Sequence, residues 1–206
     1  MSQLRNRLAY ASIYFTQLLI APGIRLFVLP SIKKTVHLEG LSLSKDKTYV
    51  IAANHQHGID PFVLIATIPW KTRKHFLPIK FMTKLKFYYR WWKPGAYLSG
   101  CFPARARYEG DTASFGVGEA VRVAKLGYSV LIFPEGRVTK VQGEERAHSG
   151  VSRILTELPE AELILCKIIW SKNKKGRFTV DLHYENAGPG IDRSNPQQIL
   201  DSIYGL

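Results

Sequence analysis

The stretch Val50-Ile-Ala-Ala-Asn-His-Gln-His-Gly-Ile-Asp-Pro-Phe62 passes from an apolar run, through a short polar turn, into a second apolar run opened by Asp60-Pro61. Thr48 to Ala53 is β-rich and reads as a strand. Pro61 to Ile68, closed by Pro69, reads as a helix. A strand that hands the chain through a tight turn to a helix is the building unit of α/β architecture. The turn carries His55 and Asp60, with Gly58 between them. They are too far apart for one face of a continuous helix, where partners sit three or four residues apart. A bend at Gly58 is expected to fold Asp60 back onto His55. Imidazole is the side chain best suited to proton transfer near neutral pH, and a neighbouring carboxylate fixes its tautomer. The same residues also read as a solvated turn whose Asp caps a helix.

The rest of the chain repeats the alternation. Thr35–Leu43 reads as a short strand and turn, His75–Met82 as a strand, Thr83–Trp92 as a helix and Gly100–Ala104 as a short extended piece. Val117, Ala120, Val121 and Ala124 mark one helical face, and Gly127 is placed to end that helix. Val130–Phe133 is a continuous apolar run, the pattern of a strand covered on both faces. Val151, Ile154, Leu155 and Leu158 mark another helix; Leu163–Trp170 and Arg177–Tyr184 read as strands around a Lys172–Gly176 turn, and Gln197–Tyr204 as a terminal helix. This predicts an α/β fold with a mixed, partly parallel sheet flanked by helices. Ligands in such sheets bind beyond the carboxyl ends of the strands. His55 and the Pro134–Arg137 turn each follow a predicted strand at once, so parallel pairing would place both on one crevice.

Charge narrows the partners. The net charge is +13, with a pI of about 9.8. That implies a polyanion, either nucleic acid or an anionic membrane. Lys71–Lys93 carries eight cations and no acid, interleaved with Phe, Tyr and Trp. Such a mixture suits single-stranded nucleic acid and suits a membrane interface equally. Leu8–Ala21 and Ile24–Leu29, separated by Pro22-Gly23, are each shorter than the roughly 20 apolar residues of a membrane span. They read as two short helices lying at a membrane interface, flanked by Arg5, Arg7, Arg25, Lys33 and Lys34. That favours the membrane over nucleic acid and divides the chain into an interfacial segment, 1–34, and a domain, 35–206. Cys101 and Cys166 lie far apart with neither metal-binding nor disulfide spacing. His55 and His57 form a His-x-His pair without an evident third ligand, so no metal site is expected.

Two further turns add anion-binding chemistry. Phe133-Pro-Glu-Gly-Arg137 combines the Glu135 carboxylate, a permissive Gly136 and the guanidinium fork of Arg137, which suits phosphate oxygens. Gly100-Cys-Phe-Pro-Ala-Arg105, followed by Arg107, brings another cation just past a short strand.

Together these blocks resemble the glycerolipid acyltransferases of the lysophosphatidic acid acyltransferase family. That family has a His, four residues, Asp motif, here His55 to Asp60 within Asn54–Asp60. It has a Gly-led strand ending in Arg, here Gly100–Arg105, and a Phe-Pro-Glu-Gly block, here Phe133–Gly136. Leu163–Ile169 is similar to its fourth block, and His148-Ser-Gly150 to the entry of the helix before it. The chain departs from the pattern at His57, where Ser is usual, at Arg137, which arrives one place early, and at Cys166, where Pro is usual. The resemblance implies a membrane-associated 1-acylglycerol-3-phosphate O-acyltransferase acting in phospholipid biosynthesis. His55 would be the general base and Asp60 its orienting partner. Arg105 and Arg137 would hold the acceptor phosphate, with Asn54, Lys84, Glu135 and Gly136 completing the substrate site. The donor would be acyl-CoA or acyl carrier protein, with no cofactor and no metal. The partners would be a lysophospholipid and an anionic membrane, not nucleic acid, at the cytoplasmic face. An acceptor of the ornithine-lipid or lipid A type, or a non-catalytic basic membrane- or nucleic-acid-binding protein, are the alternatives.

Overall fold

The computed structural model describes the chain except for residues 1, 28, 45, 85–87, 89–92, 105–113 and 140–145. The expected helix Thr83–Trp92 falls largely outside the described residues, and Arg105 and Arg107 lie wholly outside them. Helix α1 (Ser2–Phe27) and a single 3-10 turn (Leu29–Ser31) lead into β1 (Lys33–His37), which carries the chain across residue 34. There follow β2 (Tyr49–Ala53), α2 (Asp60–Thr67), α3 (Trp70–Phe76), β3 (Ile79–Thr83), α4 (Lys93–Leu98) and β4 (Cys101–Pro103). The second half is α5 (Ser114–Ala124), β5 (Ser129–Ile132), α6 (Gly150–Glu157), β6 (Glu162–Lys172), β7 (Phe178–Asn186) and α7 (Pro196–Gly205).

The described strands form one seven-stranded sheet in the order β1-β7-β6-β2-β5-β3-β4. Every neighbouring pair is parallel except β6 with β7. The expected α/β layering is therefore present, and β2 and β5 are parallel neighbours, with Val50 level with Val130 and Ala52 with Ile132. Strand alternation sorts the core into two layers. Tyr49, Ile51 and Ala53 face a layer shared with α2 and α3, while Val50 and Ala52 face one shared with α5, α6 and α7.

Two expectations are corrected. Pro22-Gly23 does not divide the N-terminal segment, which is one 26-residue helix with Pro22 inside it. A proline removes one hydrogen bond from a helix, but tertiary anchors grip this one on both sides of the proline. Gln17 is buried, accepts from Ile79 N (2.9 Å) and donates to Ile79 O (2.6 Å) and Ser99 O (3.0 Å). Arg25 donates to Ala66 O and Ile68 O (3.0 Å for the latter) at the end of α2. Tyr10 packs on Tyr128, just before β5. These contacts set α1 against the amino ends of the strands. The fit is close at Gly100 (φ 102°), where a Cβ would run into Ile79 O and Gln17 Nε2. Among the described residues, no helix is long and apolar enough to cross a membrane.

The second correction concerns Lys71–Lys93, which is not a uniform basic surface. Residues Trp70–Phe76, the last two of which fall within the expected strand His75–Met82, form α3. Arg73 is buried with its guanidinium over the Trp70 ring, and Phe76 and Phe81 belong to the core. Lys80 is buried in β3 with its ammonium over the rings of Tyr97 (4.4 Å) and Tyr128 (5.4 Å). Burial pushes that ammonium down to about 8 from an ordinary 10.5, against a smaller opposing pull from Glu119. Between those two values the unfolded chain holds the extra proton, so the penalty of burying Lys80 is full below about pH 8 and fades as pH rises. The melting advantage of Lys80→Met over the parent is expected to shrink from pH 7 to pH 10, by roughly 1–3 kcal/mol in free energy. Parallel thermal melts across that range measure it, and a pH-independent difference would contradict the assignment.

Candidate active site

The site is built where β2 leaves the sheet. Past Ala53, β6 continues with no strand beside it on that side among the described residues, and side-chain amides supply hydrogen bonds there. Asn54 Nδ2 donates to Ile168 O (2.8 Å) while its Oδ1 accepts from Ile168 N (2.6 Å). Gln56 Oε1 accepts from Trp170 N (2.9 Å). The turn is thereby pinned to β6 before it reaches α2.

That turn closes on Asp60. The carboxylate is fully buried, and its Oδ2 accepts from His55 Nδ1 (2.9 Å), Gln56 N (2.8 Å) and His57 N (2.8 Å). Oδ1 accepts from the indole Nε1 of Trp170 (2.8 Å). An ionised carboxylate only accepts, so Nδ1 of His55 is the donor and Nε2 is the basic nitrogen. The His55 ring stacks on Phe133 with centroids 4.1 Å apart and lines a large cavity. Pro61 follows Asp60 in the first turn of α2, as the Asp-Pro signal implied. The bend does not use a left-handed Gly58, however; the glycine that needs that region is Gly136 (φ 64°). A Cβ on Gly136 would come within 2.9 Å of the His148 ring, so the missing side chain lets this turn pack closely on the segment before α6.

Phe133–Arg137 approaches from β5. Glu135 is buried; its Oε1 accepts from Tyr204 OH (2.7 Å) and from His55 N (3.3 Å). Its Oε2 has no hydrogen-bond partner among the described residues. Thr139 N donates to His55 O (2.7 Å) and His148 N to Pro134 O (2.8 Å), tying the second turn to the first and to the segment before α6.

The cavity holds about 940 Å³. Its apolar walls include Phe62, Phe81, Met82, Val117, Ile132 and Phe133. Lys84, Arg137 and Arg153, all exposed, also line it. Of the residues singled out from the sequence, His55 and Asp60 meet as expected, and Lys84, Gly136 and Arg137 share the cavity with His55. Asn54 and Glu135 do not line it; they hold β6 and the His55 backbone from behind. His57 is exposed and packs edge-on against Trp170 (4.9 Å). Among the described residues, no group of three His, Cys, Asp or Glu side chains is arranged to hold a metal. Cys101 and Cys166 are buried thiols, raised by burial to about 11 in the case of Cys101, which suits packing rather than nucleophilic attack.

A profile of the family described as Acyltransferase matches residues 35–169, which include both turns and the His–Asp pair. The chain belongs to the acyltransferase family. This acyltransferase is also similar in fold to the crystal structure of the 1-acyl-sn-glycerophosphate (LPA) acyltransferase, PlsC, from Thermotoga maritima. The TM-score is 0.61 over 98% of this chain and 95% of that chain, at 16% identity. No curated protein sequence matches it.

Three contributors were not legible as site residues. Trp170 was expected only as the end of a strand, and Gln56 only as part of a motif. Tyr204 reaches Glu135 from α7, 69 residues away in sequence, and no local signal announces it. Trp170→Phe removes one donor from Asp60 while keeping an aromatic ring against His57. It is expected to lower kcat of the acyltransferase by about tenfold with little change in KM for the acceptor. Steady-state kinetics at saturating donor measure this; an unchanged kcat would show that the indole donor is dispensable.

Proposed function

We propose that this acyltransferase moves a fatty acyl group from a thioester donor, acyl-CoA or acyl carrier protein, to the free hydroxyl of a lysophospholipid. 1-Acylglycerol-3-phosphate is the acceptor that fits best. The observation that carries this reading is one cavity lined by the His55 ring, by apolar walls and by three exposed cations, Lys84, Arg137 and Arg153. At about 940 Å³ it lies near the upper end of the roughly 300–1,000 Å³ of ligand pockets, room for an acyl chain with its headgroup. A phosphate on the acceptor matches the cations, and an alkyl chain matches the walls.

In the proposed reaction, His55 Nε2 takes the proton of the acceptor hydroxyl as its oxygen attacks the thioester carbonyl. The tetrahedral intermediate collapses with cleavage of the carbon–sulfur bond. The departing thiolate recovers the proton from the imidazolium, which Asp60 balances in the interval. The products are an ester and a free thiol, with no covalent enzyme intermediate, no redox change and no cofactor.

Membrane association rests on α1. Leu4, Leu8, Phe15, Leu19 and Leu26 are all exposed and fall on one stripe of the helix, opposite the buried Ile13, Gln17 and Ala21. Arg5 and Arg7 are exposed beside its start. A helix of this kind supports binding in the interface of an anionic leaflet, and the proposed location is peripheral, at the cytoplasmic face.

Two measurements test the reading. Thiol release is followed with a panel of lysolipids in mixed micelles. His55→Ala is expected to reduce kcat by 10²- to 10⁴-fold and Asp60→Asn by a similar factor. Arg137→Ala is expected to raise KM for phosphate-bearing acceptors about tenfold and leave neutral ones unchanged. Release by His55→Ala equal to the parent would refute the assigned base. Separately, Leu8→Glu with Phe15→Glu and Leu19→Glu is expected to abolish flotation with anionic vesicles, and retained flotation would remove α1 as the membrane contact.

A further inference from the structure

The β6–β7 hairpin carries charge that the acyl-transfer site does not use. β6 pairs with β2 only as far as Cys166, then runs on to Lys172 before the turn to Phe178. Trp170 is level with the catalytic turn through its bonds to Gln56 and Asp60. The turn at 173–176 therefore stands about 10–15 Å beyond the His–Asp pair, at some 3.3 Å per residue. Residues 171–178 are all exposed. Lys172, Lys174, Lys175 and Arg177 lie there, and no acidic residue occurs between Glu162 and Asp181. No carboxylate pairs with these four cations among the described residues. Asn173 Oδ1 accepts from Lys175 N (2.9 Å) and Arg177 N (3.0 Å), and Gly176 N donates to Asn173 O (2.8 Å). The cations thus project from a hydrogen-bonded turn, with Lys172 held over the Phe178 ring (4.9 Å).

We propose that this hairpin is the docking surface for an acidic acyl carrier protein that delivers the thioester to His55. The inference rests on the thioester-dependent reading of the site given above. Three features choose this partner. The hairpin rises from the same strand ends that carry His55, so a carrier seated on it can extend its long phosphopantetheine arm toward the cavity. Eight consecutive exposed residues offer no walls to enclose a nucleotide, which disfavours the adenosine end of CoA. A bilayer is disfavoured because α1, with its apolar stripe, lies against the opposite ends of the strands. One plane does not meet both. Charge complementarity of this kind raises association rate and selects partners, and it weakens with salt.

The test uses the full chain and the charge-reversed variant Lys174→Glu/Lys175→Glu/Arg177→Glu, with the neutral variant Lys174→Ser/Lys175→Ser/Arg177→Ser alongside. Binding of palmitoyl-loaded acyl carrier protein is read by fluorescence anisotropy, and turnover with that donor and with palmitoyl-CoA by thiol or carrier release. The parent is expected to bind the carrier at least about tenfold more tightly than the reversed variant, with the neutral variant between them. KM for the carrier donor is expected to rise about tenfold at nearly constant kcat, while KM for palmitoyl-CoA changes less than about threefold. No carrier binding by the parent, or unchanged binding in both variants, overturns the proposal. An equal loss with palmitoyl-CoA assigns the cations to the shared phosphate arm and overturns it as well. So does loss of anionic-vesicle binding with both donors unaffected, which would make the hairpin a membrane contact. A parent that binds the carrier but transfers acyl groups to no acceptor refutes the reaction proposed above and leaves the docking surface standing.

Discussion

The buried carboxylate of Asp60 is the constraint on which the rim of the cavity depends. Removing a carboxylate from water costs several kcal/mol unless its lone pairs are met. Here four donors meet them, three from the turn itself and one from β6. Satisfying the charge therefore defines the path of residues 55–60. It also sets the ring of His55 in one orientation, with Phe133 stacked behind it and Nε2 as the remaining basic nitrogen. The geometry of the His–Asp pair and local stability are one arrangement seen from two sides.

The same economy extends along β6. The strand outlasts its neighbour, and unpaired backbone groups at a buried edge carry a desolvation penalty. Asn54 and Gln56 supply amide groups where β2 no longer does. This explains why Asn54, next to the proposed general base His55, carries no cavity contact. The extension has a second effect, since it lifts the β6–β7 hairpin above the rim. The molecule consequently has a basic prong at the carboxyl ends of its strands and an apolar helical stripe at the amino ends. In the proposed cycle a soluble donor and a lipid acceptor approach from different sides and meet at His55.

Much of this was legible in the residues. The alternation of apolar runs and turns gave the α/β layering, and position after a strand brought His55 and Arg137 to one crevice. The failures have physical causes. Pro22 reads as a break, yet Gln17 and Arg25 hold the helix on either side of it. The cations of Lys71–Lys93 read as surface, yet Arg73 and Lys80 are buried against aromatic rings, an environment that no linear pattern records. Glu135 reads as a substrate contact, but its partners are the His55 backbone and a tyrosine from the last helix.

Sequence alone determined the fold class, the His–Asp pairing across a short bend and the excess of positive charge, because each follows from spacing, periodicity or composition. Tertiary structure decided which side chains reach the cavity, which cations are buried and which donors complete the carboxylate. Those depend on contacts between segments distant in the chain: Trp170 with Asp60, Tyr204 with Glu135, Gln17 with Ile79. Such contacts are set by the register of packed elements, which local periodicity does not encode.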